Sequence, residues 1–144
     1  GEHLESLFEQ FLAQRIRPTF EQFVGYAFEE AAREYLARLA RQGALPFLPE
    51  RIGSWWDQQG EIDVVVVSDT DRALLLGECK WSVNPVGVNV LEDLQRKAAT
   101  LLALGPWRTV NYALFAKSGF TPALQDRAAD QGVELITAEQ MVSN

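Results

Sequence analysis

Asp63, Glu78 and Lys80 are the residues of this 144-residue sequence whose types and spacing suit chemistry best. Side chains two apart on a strand point to the same face, so Glu78 and Lys80 project together and Cys79 points away. Glu and Lys are rarely buried unless paired, which sets both apart from a bland core strand. Asp63 opens an otherwise apolar run. A turn with an even number of loop residues, such as 69–72, puts it opposite Glu78, and directly opposed residues share a face. Two hard carboxylates at close range hold an oxygen-seeking divalent cation such as Mg²⁺ or Mn²⁺. Such a cation polarises a phosphoryl oxygen and acidifies a bound water. The lysine positions or deprotonates that water, or neutralises charge in the transition state. The chemistry is phosphodiester hydrolysis. A structural ion pair of Lys80 with Glu78 or Asp63 uses the same residues, and spacing alone does not separate the two.

Two apolar runs must carry these groups, Ile62–Val67 and Ala73–Lys80, with Ser68-Asp69-Thr70-Asp71-Arg72 as the turn between them. Both runs are apolar on both sides, as in central strands covered by helices on two faces. Ahead of them, residues 3–15 read as an amphipathic helix broken at Arg17-Pro18, and residues 20–42 as a long helix capped by Thr19 and ended by Gly43. Arg51–Trp56 reads as a short strand. Beyond the pair, residues 88–104 read as one helix stopped by Gly105-Pro106, and Thr109–Ala116 as a strand. Thr121–Gln131 reads as a helix with Pro122 in its first turn, Val133–Ile136 as a strand and Ala138–Val142 as a short helix. The expected fold is an α/β domain with a mixed central sheet flanked by helices and an extra N-terminal helix. Residues 1–18 read as a helix and linker from a preceding region, and 19–144 as the domain.

Composition is 47% hydrophobic and 23% charged, which supports one packed core. No apolar run approaches the roughly 20 residues that span a bilayer, and no leader pattern is present. The lone Cys79 excludes an internal disulfide and fits a reducing cytoplasm. Gly1 in place of methionine suggests a fragment of a longer chain. His3 is the only histidine. That argues against Ser-His-Asp or Cys-His catalysis and leaves no zinc cluster. No phosphate-cradling G-x-x-x-x-G-K loop occurs, so this chain is not expected to hydrolyse ATP. The net charge of −7 counts against a strong non-specific nucleic-acid binder. Residues 87–127 are mildly basic, however, and directly follow the Glu78–Lys80 run. Within them Arg96 and Lys97 are candidate phosphate contacts, against a solvated helix face. Trp56 and Trp81 are candidate base-stacking groups, against core packing.

Asp63 with Glu78-Cys79-Lys80 resembles the motif of the PD-(D/E)xK nuclease superfamily. Gly25, Phe28 and Glu29 resemble the G-x-x-F-E helix that many members place before it. The resemblance implies an αβββαβ restriction-endonuclease-like core and makes Glu29 a supporting metal ligand, with Glu30 as the competing choice. Gly53-x-Trp55-Trp56, Glu61-Ile62-Asp63, Gly77-Glu78-Cys79-Lys80-Trp81 and Pro85-Val86-Gly87 are similar to the C-terminal domain of archaeal-type AAA+ ATPases. That resemblance implies a preceding ATPase and winged-helix region. The expected function is therefore a Mg²⁺- or Mn²⁺-dependent DNA nuclease domain. The alternative is a silent nuclease-fold module that binds DNA or a protein partner and regulates the ATPase. A third reading is a pure interaction domain whose first helix, by its apolar face, docks against the preceding region or against a second copy as a homodimer.

Overall fold

The computed structural model describes residues 4–7, 9–10 and 19–143. Residues 4–7 and 9–10 are helical, and Leu7 packs on Phe23. The rest of the expected first helix, its break at Arg17-Pro18 and the boundary at residue 18 lie outside the described residues.

Helix α1 spans Phe20–Arg41. Thr19 starts it by a reciprocal pair of bonds. The Gln22 N–H donates to Thr19 Oγ1 at 3.0 Å, and the Thr19 N–H to Gln22 Oε1 at 2.9 Å. This satisfies amides the first turn leaves unpaired. Gln42 caps the other end and Gly43 follows with φ +69°, as a glycine beyond a helix terminus does.

Strands β1 (Arg51–Asp57), β2 (Gly60–Ser68) and β3 (Ala73–Lys80) form an antiparallel meander. Helices α2 (Val88–Lys97) and α3 (Ala99–Leu102) lead to β4 (Thr109–Ala116), and α4 (Pro122–Gln131) leads to β5 (Glu134–Thr137). Both β4 and β5 join parallel, giving a mixed sheet in sequential order. A short helix, α5 (Ala138–Val142), closes the fold. The expected helix over 88–104 is interrupted at Ala98, although the bonds Ala98 N–H to Leu94 O and Leu102 N–H to Ala98 O run through the interruption. Leu104 and Gly105 then bond three residues back, tightening the last turn.

The strands expected to be apolar on both sides are so because both sides are covered. Val65, Val67, Leu74, Leu76 and Leu114 pack under Leu91 and Leu94 of α2 and Leu124 of α4. Val64, Val66, Leu75 and Phe115 pack under Phe28, Ala32 and Leu36 of α1 and Met141 of α5. The β2–β3 register pairs Ser68 with Ala73, which leaves 69–72 as the turn. Its last pair is Val64 with Gly77.

Gly77 lies where β3 is closely packed between β2 and β4. A Cβ there would meet the Val64 Cβ at 3.1 Å, the Phe115 Cε1 at 3.2 Å and the Ala113 carbonyl at 3.3 Å. Gly77→Ala should therefore overpack the sheet and lower stability by about 1–3 kcal/mol in urea unfolding. Unchanged stability would mean that β2 and β4 yield freely around β3.

Candidate active site

Asp63 sits at a bulge. Gly53 pairs with Val65 and Trp55 with Ile62, so Asp63 and Val64 together face the single Ser54. The extra residue shifts the alternation of faces. Ile62 and Val65 both enter the core layer under α2, an odd spacing that a regular strand forbids. Past the last β2–β3 pair, the Asp63 carboxylate takes over as acceptor. Its Oδ2 receives the Cys79 N–H at 2.9 Å. The side chain is 8% exposed at the end of the sheet where β2 and β3 stop pairing.

Helix α1 brings Glu29 to the same place. One carboxylate oxygen each of Glu29, Glu61 and Asp63 lie within 4.8 Å of one another. Glu30 is turned away by Arg33, whose guanidinium binds it and also donates to the Asp63 carbonyl. The geometry thus brings in Glu29 rather than Glu30 and adds Glu61, which sequence reasoning passed over as a ligand. The signal was present: Glu61 lies two residues before Asp63 on the same strand.

Glu78 and Lys80 do project together, with Lys80 Nζ 3.8 Å from Glu78 Oε2. Glu78 is buried, and Lys80 is half-exposed. The nearer cation to Glu78 is Lys97. Its Nζ lies 3.1 Å from Oε1 and 3.3 Å from Oε2, and also donates to the Glu61 carbonyl at 2.7 Å. Lys97, expected either to reach phosphate or to lie on a solvated helix face, instead points inward to Glu78. Its position three residues after Leu94 and four before Leu101 places it beside the apolar stripe, a signal visible in the sequence. Arg96 stays on the exposed face and pairs with Asp93 at 2.7 Å.

Trp56 is 76% exposed and pairs with Glu61 across β1 and β2. Trp81 is partly exposed, edge-on to Phe28 at 5.0 Å, with the Lys117 ammonium 5.0 Å from its ring. Trp55 packs on the core layer under α2 and donates to Asp57 at 2.6 Å. Cys79 lies against the layer under α1, and burial pushes its thiol pKa up, away from reactivity.

The carboxylates crowd one another. Burial, then the charges of Asp63 and Glu61, push Glu29 up to about 8. Burial, then Asp63, push Glu78 up to about 7 against the pull of Lys97. Burial raises Asp63 also, against the Cys79 N–H. A carboxyl held above its ordinary value keeps its proton in the folded chain after the unfolded chain has released it. For Glu29 that window runs from its ordinary 4.5 to about 8, so stability falls as pH rises through it. Without divalent ions, the thermal midpoint should drop across this window, and Glu29→Gln should flatten the drop. A midpoint that climbs through the window would contradict the burial of Glu29.

Known proteins show the same fold. A repair endonuclease from Pyrococcus abyssi superposes with a TM-score of 0.53 at 17% identity, over 76% of this chain and 46% of its own. A protein of unknown function, AF1548, superposes with a TM-score of 0.54 at 17% identity, over 79% of this chain and 65% of its own. The mixed sheet between helices is thus a restriction-endonuclease-like fold, as expected. In sequence, 71 residues are 37% identical to the uncharacterized protein MJECL04 of Methanocaldococcus jannaschii. The match covers 49% of this chain and 16% of that relative's length. Residues 2–98 match the model of DUF234, described as archaeal and bacterial proteins of unknown function, and the chain belongs to that family.

Proposed function

We propose that this chain is a nuclease domain of a longer protein and that it hydrolyses phosphodiester bonds of DNA with a divalent cation. The observation that carries the reading is the convergence of Glu29, Glu61 and Asp63 at the end of the sheet, beside Glu78 and Lys80. The donor set fits the group. All three ligand atoms are carboxylate oxygens within 4.8 Å of one another. Opposed oxygens on Mg²⁺ at about 2.0–2.1 Å lie about 4.2 Å apart, so a small side-chain adjustment closes this set around such an ion. Glu29, Glu61 and Asp63 would hold Mg²⁺ or Mn²⁺, with Glu78 adjoining. The bound cation supplies Lewis acidity toward a phosphoryl oxygen and an acidified water.

The chain's own residues do the rest. The Cys79 N–H fixes the Asp63 carboxylate. Lys80 is half-exposed beside Glu78, placed to meet a phosphate oxygen or the attacking water. Trp56 and Trp81 flank the acids with exposed indole surface that suits base stacking. Arg96 is an outer phosphate contact at most, since Asp93 already holds it. The ordered short motifs support an origin next to an ATPase and winged-helix region. The match to only 16% of a relative's length agrees with a longer parent protein.

A second reading has an observation of its own. Glu78 is compensated by two lysines and the chain carries a net −7, which suits a nuclease-fold module that binds DNA or a partner without cutting. Incubation with linear, single-stranded and branched DNA plus Mg²⁺ or Mn²⁺ separates the two. Asp63→Ala, Glu78→Ala and Lys80→Ala should each slow cutting by about a hundredfold or more. Cutting that survives all three would indicate a contaminant. Metal binding with no turnover on any DNA would favour the silent module.

A further inference from the structure

Lys97 is buried, 9% exposed, at the end of α2. A buried ammonium is costly unless its donors are used. Here the Glu61 carbonyl and both Glu78 oxygens take them, with Asp93 Oδ2 at 3.6 Å as an outer partner. The lysine stem needs a passage, and Gly60 provides it. A Cβ at Gly60 would lie 2.9 Å from Lys97 Cδ, and its φ of +132° disfavours any side chain there. The site is thus built to admit this lysine.

Its placement bears on the metal. Lys97 spans both oxygens of Glu78, so a dication seeking that carboxylate meets an ammonium already on it. The mutually close oxygens belong to Glu29, Glu61 and Asp63, and Glu78 is not among them. Lys80 stands farther off at 3.8 Å and is half-exposed. We propose that Lys97 is a positioning residue that serves as the internal counter-ion of Glu78, competing with the divalent cation there and keeping it on the Glu29–Glu61–Asp63 side. Lys80 is then left to substrate. This rests on the metal-site reading above.

The test is Mn²⁺ binding by calorimetry to the 144-residue chain. Lys97→Met removes a positive charge beside the carboxylates and should tighten Mn²⁺ binding by about tenfold, while Lys97→Arg stays within about threefold of the parent chain. Adding Glu78→Gln to Lys97→Met should cancel the gain. A lysine that only braced the fold would do the opposite, since its loss would loosen the acids and weaken binding. Unchanged or weaker Mn²⁺ binding in Lys97→Met, with the parent chain binding normally, would overturn the role of Lys97 alone. Binding by neither chain would overturn the metal reading as well. Binding only after Lys97→Met would support the counter-ion role in its strongest form. If Lys97→Met fails to fold, Lys97→Gln keeps a donor for the Glu61 carbonyl and carries the same test.

Discussion

Crowding carboxylates at the end of a sheet is the constraint on which the rest of this structure depends. Glu29, Glu61, Asp63 and Glu78 meet where β2 and β3 cease to pair. Lys80 and Lys97 are the cations drawn up to Glu78. Burial, and after it the charges of the neighbouring carboxylates, hold Glu29 and Glu78 far above the ordinary carboxylate range, so the folded chain keeps protons there. A divalent cation would offset the same repulsion. The two apolar layers must hold this repulsive group together, and they do so from both faces of β2, β3 and β4 at once.

Much of this frame is legible in the sequence because it rests on period and composition. The β-branched run of β2 and the apolar run of β3 announce strands buried on both faces, and the turn at 69–72 follows from its residue types. The pairing of Glu78 with Lys80 follows from a period of two. The bulge at Asp63–Val64 does not follow from any of these. It inserts one residue into the β2 side of the ladder without glycine or proline to mark it. Yet it decides the site, since it lets the Asp63 carboxylate accept the Cys79 N–H and meet Glu29 across the sheet end. Lys97 was hidden for a different reason. A charge on a helix beside a basic stretch reads as surface, and only its spacing from Leu94 and Leu101 hints that it turns inward.

The same physics explains how Glu29 and Glu30 are told apart. Both lie off the centre of the α1 apolar stripe, so helix periodicity is neutral between them. The choice is made by Arg33. It engages Glu30 along the helix and reaches the Asp63 carbonyl across to β2, so one residue both occupies the rival carboxylate and ties α1 to the bulge. A side chain's partner, rather than its position on the wheel, decides which of the two reaches the cluster.

The charge distribution also limits how a polyanion can approach. With a net −7 the field around the chain repels nucleic acid at a distance, so steering by the domain as a whole is weak. Attraction is confined to short range, where Lys80 and Lys117 lie at the adjoining ends of β3 and β4 beside Trp81. Contacts of that kind act within roughly a Debye length, about 8 Å at physiological salt. A substrate must therefore already be near before this surface can hold it. On the function proposed above, this arrangement suits a domain to which another part of a longer protein delivers the strand. On that reading the acids, Lys80 and Lys97 act only once the strand has arrived.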